Sequence, residues 1–351
     1  MATTDNRLQS MNRWIESLKD RFGLVPASVA PASNDASFRR YFRIEAAQGS
    51  CIIMDAPPPQ EDCRPFVHAA RVLREAGVNV PAVLAEDLEK GFLLLSDFGN
   101  TTYLSRLDRQ SAPALYRDAS QALVTMQTAS RPGVFPPYSR ELLDRELMLY
   151  PQWYLARHKG IELSAQQQLV MRRAFDLILQ NNLAQPAVYV HRDYHSRNLM
   201  VIEEQGPPGS SRPPGSPGNP GILDFQDAVH GPITYDLVSL FKDAYIRWDE
   251  QDVLDWVIRY WEMARAAGLP VRSDFADFYR DFEWMGLQRH IKVLGIFARL
   301  WHRDGKENYL KDMPLVLDHM LEVLARYVDL APFARLVQEI EERKPLPGYT
   351  F

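Results

Sequence analysis

The sequence predicts an α+β chain in two parts, a small strand-rich unit over about the first hundred residues and a larger helical unit after it. Two patterns predict this. Before Asn100, apolar runs of strand length end in clusters of Gly, Pro, Ser and Asp; beyond it, apolar residues recur at spacings of three and four over long stretches. The length of 351 residues allows roughly two domains of about 150 residues. A chain of that size closes its cores without disulfides or metal.

Residues 8–22 open as a helix, with Leu8, Met11, Ile15, Leu18 and Phe22 on one face and Gly23 as its stop. Residues 26–31 begin and end on proline and read as irregular. Residues 38–45 and 51–55 read as paired strands across the turn Gln48-Gly49-Ser50. Pro57-Pro58-Pro59 ends the second strand, because proline cannot donate to a ladder. A helix over 61–76, capped by Gly77, and short strands at 83–86 and 92–95 complete the unit. The boundary falls at Asp97-Phe98-Gly99, giving an N-terminal lobe of 1–97 and a C-terminal lobe of 98–351. In the second lobe, helices are expected over 112–128, 142–154, 164–181, 251–267, 275–303, 315–328 and 336–342. Short strands are expected at 188–190, 199–202 and 222–223. Residues 203–221 are dominated by Pro, Gly and Ser and read as a flexible loop.

Lys plus Arg number 40 and Asp plus Glu 45, a net charge of −5. That excludes a protein gripping nucleic acid through bulk positive charge. Cys51 and Cys63 are the two cysteines, too few for a disulfide framework, so a reducing cytoplasm is the expected setting. The first residues form no apolar leader of the usual kind, and no run of 18 apolar residues suggests a membrane span. No module for an obligate protein partner is evident.

The sharpest chemical signal is His191-Arg192-Asp193-Tyr194-His195-Ser196-Arg197-Asn198. An aspartate followed five residues later by an asparagine, just after a short strand, is the catalytic-loop pattern of protein-kinase-like enzymes. Ile222-Leu223-Asp224 follows, an aspartate at the end of an apolar run where a metal-binding carboxylate belongs. Phosphoryl transfer needs a carboxylate beside the attacking hydroxyl, a role for Asp193. Magnesium wants hard oxygen ligands, which the Asn198 amide and the Asp224 carboxylate supply. Taken singly, each residue has an ordinary explanation as a turn, loop-closing or cap residue. Their order and their attachment to short strands point to one site. His191 reads as a brace for the loop, whereas His195 stays open.

The chain resembles the aminoglycoside phosphotransferase-like family, a bilobal protein-kinase-like fold with a strand-rich N-lobe and a helical C-lobe. More narrowly it is similar to the bacterial anomeric amino-sugar kinases of cell-wall recycling. The resemblance rests on Asp35 to Arg43, Met54-Asp55-Ala56-Pro57-Pro58, Gly91 to Asp97, His191 to Met200, and Asp224 through Leu237. It implies ATP and Mg2+ as cofactors, Asp193 as the catalytic aspartate, and Asn198 and Asp224 as the metal ligands. It also implies that the stretch around Asn34, Asp35, Ser37 and Phe38 covers the nucleotide phosphates. That stretch lacks the glycine-rich signature of protein kinases. Asp97 falls at the expected hinge between lobes. The third-strand lysine of the wider family is missing from Cys51-Ile52-Ile53-Met54-Asp55, so Arg40 or Arg43 is the candidate replacement.

The resemblance further implies ATP-dependent phosphorylation of the C1 hydroxyl of N-acetylmuramate and N-acetylglucosamine, giving the α-1-phosphates. Candidates for contact with the small-molecule sugar are Arg145, Glu146, His195, Arg197 and Asp227. An arginine, Arg145 or Arg197, would suit the lactyl carboxylate of N-acetylmuramate. The alternative is a kinase of the same fold acting on another small hydroxyl compound, of the aminoglycoside, choline or homoserine type.

Overall fold

A computed structural model describes residues 2–34, 38–202 and 218–343. The chain divides into two compact units, Met1–Arg106 with Arg197–Asp227, and Leu107–Ser196 with Ala228–Phe351. This division differs from a single cut at residue 97. The first unit runs on past residue 97 to Arg106 and takes back a later segment of chain.

The first unit is built on helix α1 (Ala2–Phe22) and a five-stranded antiparallel sheet. Its strands are β1 (Val25–Asn34), β2 (Arg40–Ala46), β3 (Gly49–Asp55), β4 (Val83–Asp87) and β5 (Phe92–Ser96), in the order β1-β2-β3-β5-β4. Met11 and Ile15 of α1 pack onto Ile44, Ile53, Phe92 and Leu94, all essentially buried, so the helix covers one sheet face. Residues 26–31, expected to be irregular, lie within β1. Pro26 and Pro31 are tolerated because β1 is an edge strand, where a missing N–H breaks no central ladder. The β1–β2 pairing is interrupted at both ends of this stretch. Gly91 enters β5 at φ +70°, and a side chain there would strike the Ala56 carbonyl.

Two further helices, α2 (Arg64–Glu75) and α3 (Tyr103–Arg106), belong to this unit. The returning segment pairs Leu199–Met200 with Gly221–Ile222, antiparallel. It is tied into the unit by Ile222 N–H to Asn79 O (2.8 Å) and Val201 N–H to Thr101 O (2.8 Å). These bonds join the described residues around Val201 and Ile222 to the strand-bearing unit. Of the expected flexible loop, residues 203–217 lie outside the described residues, while Gly221 is already in a strand.

The second unit is helical. Helices α4 (Ala112–Thr128), α5 (Arg140–Leu147) and α6 (Ala165–Leu183) precede strand β6 (Ala187–Val190). Strand β7 (Val229–Pro232) pairs with β6 antiparallel and leads into α7 (Tyr235–Phe241). Then come α8 (Glu250–Ala266), α9 (Phe275–Asp304), α10 (Met313–Leu324) and α11 (Ala331–Ile340). The single helix expected over 142–154 is broken. α5 stops at Leu147 and a π-helical segment, Tyr150–Lys159, follows. Pro151 explains the break, since its ring opposes the carbonyl four residues earlier, that of Leu147. The centre of the unit is α9, thirty residues long and buried on nearly every side between Asp281 and Ala298. It presents Glu283, Gln288, Arg289, His290 and Lys292 to the interior as well as its apolar residues.

Asp55 is fully buried and accepts from Arg7 (2.8 and 2.6 Å) and from Arg40 (Nε, 2.9 Å). Asp55→Ala leaves two guanidinium groups facing each other without their carboxylate. Both arginines are partly solvated, so the expected cost is about 2–4 kcal/mol. A urea titration should show it as a lower midpoint.

Candidate active site

The second unit carries the loop that follows β6. Val188, Tyr189 and Val190 are buried, and the strand delivers His191 into the interior. Arg192 then takes φ +77°, a conformation unfavourable for a side chain of its size. Two hydrogen bonds hold it there. Asp236, in the first turn of α7, accepts from His191 N–H (2.6 Å) and from Arg192 N–H (2.9 Å). The His191 ring braces the same turn, its Nδ1 accepting from Asp193 N–H (3.2 Å). Tyr194 anchors the loop to α4 through Ala119 O (2.9 Å), and Asp243 accepts from Ser196 N–H (3.0 Å) and its hydroxyl.

Beneath Asp193 lies a buried charge cluster. Glu146 accepts from Arg192, from Tyr138 and from Lys292 (3.0 Å), and Lys292 also donates to the Tyr235 hydroxyl (2.9 Å). Burial alone would raise the Glu146 carboxyl, but the Lys292 and Arg192 charges outweigh it and hold it below the usual range. Asp193 behaves alike: burial opposes ionisation, and Lys292, His195, Arg289 and Arg192 together overcome it. Asp236 moves the other way. Burial drives its carboxyl up, the two amide N–H groups resist, and the neighbouring Asp193 charge adds to the rise, reaching about 7. Two adjacent carboxylates are thus pushed apart, with Asp193 the one kept charged.

The first unit holds a cavity of about 430 Å3. Its walls are mainly apolar, from Ile52, Phe66, Leu95, Met200, Leu223 and Phe225, and its polar groups include Arg43, Asp97, Asn100, Arg197, Asn198 and Asp224. Asn198 and Asp224 stand side by side, with Nδ2 to Oδ2 at 3.4 Å. Leu223 N–H donates to Asn198 O (2.9 Å), which fixes that spacing. Asp224 takes φ +63° and accepts from Gln226 Nε2 (2.8 Å), while Phe225 packs on Phe66 of α2 at 4.7 Å. The Asn198 amide and the Asp224 carboxylate on one cavity wall are hard oxygen donors of the kind a divalent cation takes.

The sequence-predicted residues separate clearly. Arg43 lines the cavity, held to Asp97 (2.5 and 3.0 Å) and to Asn100 Oδ1 (2.8 Å). Asp97 also accepts from Ser50 (2.7 Å) and Gly99 N–H (2.9 Å). Burial opposes its ionisation, but these bonds and Arg43 prevail and keep it low. Arg40 instead pairs with Asp55 across the β2–β3 ladder. Asn34 closes β1, and Phe38 is exposed; Asp35 and Ser37 lie outside the described residues. Arg197 lines the cavity, whereas Arg145 and Asp227 are exposed. Glu146, read as a sugar contact, is buried on Arg192 and Lys292. His195 is largely buried, its ring edge on Tyr245. Sequence reasoning assigned no role to Asp236, Asp243, Arg289 or Lys292. The available signal was their charge inside otherwise apolar stretches, three of them in helices and Asp243 just after α7.

The chain is 47% identical to the N-acetylmuramate/N-acetylglucosamine kinase of Pseudomonas aeruginosa over 345 residues, covering 96% of this chain and 98% of that one. It is 47% identical to the Neisseria meningitidis protein of the same name, covering 91% and 93%. Among solved structures it resembles a putative aminoglycoside phosphotransferase from Ralstonia eutropha, with a TM-score of 0.59, 13% identity, and 96% and 99% of the two chains covered. A choline kinase from Streptococcus pneumoniae gives the same TM-score and identity, covering 89% and 98%. These two share the fold, a protein-kinase-like α+β architecture. The model of the phosphotransferase enzyme family matches residues 28–269, and the chain belongs to that family.

Proposed function

We propose that this chain is an ATP-dependent kinase that phosphorylates the anomeric hydroxyl of N-acetylmuramate and N-acetylglucosamine, giving the α-1-phosphates. The observation that carries the substrate assignment is the 47% identity with the Pseudomonas aeruginosa kinase of those two sugars, over nearly the whole of both chains. The loop geometry supports the chemistry. Asp193 is held ionised, so it can orient the C1 hydroxyl and take its proton. The hydroxyl oxygen forms the new bond to the γ-phosphorus as the bond to the bridging oxygen breaks, and ADP leaves with that electron pair.

Asn198 and Asp224 would hold Mg2+, which offsets the charge on the phosphate oxygens when bound. The apolar walls of the cavity, Ile52, Leu95 and Met200 among them, suit a purine base. Glu146, Lys292 and Asp236 act as positioning residues in this reading. They hold the turn at Arg192 and the charge on Asp193. ATP use and two free buried cysteines agree with a cytoplasmic setting. Among the described residues, no helix is long and apolar enough to cross a membrane.

Phosphorus NMR of the protein with MgATP and each sugar should show an anomeric sugar-phosphate resonance coupled to the C1 proton. ADP production without that resonance would move the substrate elsewhere. Asp193→Ala should lower kcat by about 10^3-fold, within the usual range for a lost general base, and leave MgATP affinity within about threefold. Asp224→Ala should instead weaken magnesium-dependent nucleotide binding as well as turnover. Equal MgATP affinity in both variants and the wild type would remove the metal assignment.

Asp236→Asn separates positioning from binding. Asn offers one acceptor oxygen for two N–H groups, so kcat should fall roughly 10–100-fold, with nucleotide affinity unchanged. The variant also tests the raised carboxyl. A folded value of about 7, above the unfolded one, stabilises the fold fully below about pH 4. That contribution is lost as pH rises through 7. Between pH 5 and pH 8 the urea midpoint of the wild type should therefore fall relative to that of Asp236→Asn. Parallel pH profiles would contradict the assignment.

A further inference from the structure

Charged side chains buried in the second unit are generally matched. Arg192 lies on Glu146, Lys292 on Glu146 and Tyr235, and Lys242 faces Glu322 at 3.8 Å. Arg289 is the exception. It is 4% exposed, yet among the described residues no hydrogen bond or ion pair takes up its guanidinium. The carboxylates of Asp193 and Asp243 offset its charge from nearby, but its N–H groups have no acceptor, and buried donors left unmade are costly unless a ligand supplies one. Several polar atoms of this unit lack both partner and solvent, among them Tyr150 Oη and Trp284 Nε1. The Arg289 nitrogens are not among them, so the fork keeps contact with solvent and is open to a ligand.

Its position narrows what that ligand is. Arg289 lies on α9, three residues before Lys292 and therefore on the same face. Its charge acts on Tyr235, Asp193, Asp243 and Tyr245. Asp243 is already taken by Ser196 and by Tyr245 N–H (3.3 Å). The open fork thus stands beside the aspartate that faces the acceptor hydroxyl. The two arginines favoured from sequence are placed differently, Arg145 exposed on α5 and Arg197 in the cavity of the first unit.

We propose that Arg289 is a specificity-determining residue that receives a carboxylate carried by the acceptor, the lactyl group that distinguishes N-acetylmuramate from N-acetylglucosamine. A planar guanidinium takes a carboxylate through two parallel hydrogen bonds, and a desolvated one gains most from doing so. The inference rests on the substrate pair proposed above. A phosphoryl oxygen offers the same fork a similar partner, and the two sources differ in one respect. The carboxylate is present in one sugar only, while the phosphoryl group is common to both reactions.

The test is the ratio of kcat/KM for the two sugars. Arg289→Met should lower kcat/KM for N-acetylmuramate about 100-fold more than for N-acetylglucosamine, a difference of about 2.7 kcal/mol at 1.36 kcal/mol per decade. Arg289→Lys, which keeps the charge and loses the fork, should recover part of the ratio. The wild type provides an arm that needs no variant. N-acetylmuramate converted to its lactyl amide should lose about as much as Arg289→Met does, and the two changes together should cost little more than either. Equal losses for both sugars would assign Arg289 to the phosphoryl group or to the fold and overturn the proposal. So would an unchanged ratio, or a lactyl amide accepted as readily as the acid. A wild type that phosphorylates neither sugar would instead overturn the substrate reading itself.

Discussion

The constraint on which the loop after β6 depends is the grip of Asp236 on two consecutive backbone N–H groups. Without it, Arg192 has no reason to remain at positive φ. The direction of the next residues follows from that turn. It sends the Arg192 guanidinium onto Glu146. Helix α9 then completes the arrangement by bringing Lys292 to Glu146 from the opposite side. One buried carboxylate thus organises the backbone, another neutralises the cations, and the third stays charged.

The first unit solves a different problem with similar means. Its cavity combines apolar walls with a few polar groups. The walls come from the sheet, from α2 and from the segment that returns after the loop. The polar groups include Asn198 and Asp224, whose spacing is set by a backbone bond between Leu223 and Asn198. Arg43 and Asp97 neutralise each other on the same wall, which presents polar edges with little net charge.

The legible part of this protein was the local part. The strands around Ile53 and Leu94, the helix over 112–128 and the long α9 all showed in apolar periodicity, because each buries one face or more. The Asp193 to Asn198 spacing was readable because it lies within one loop. β1 was missed because proline argues against a central strand, and sequence alone does not say which strand is an edge. The split near Pro151 was missed because Leu142 to Tyr154 keeps helical spacing across it. The groups that tune Asp193 were the least legible. Glu146, Asp236, Arg289 and Lys292 arrive from distant stretches of chain, and no local pattern joins them.

The two prolines of β1 have a consequence for the protein in a crowded solution. A sheet's outer strand exposes a row of donors and acceptors that can recruit another chain. Pro26 and Pro31 carry no N–H to donate, and the interrupted pairing with β2 spoils the regular spacing of the strand. The same residues that hide this strand from sequence reading make it a poor template for edge-to-edge association.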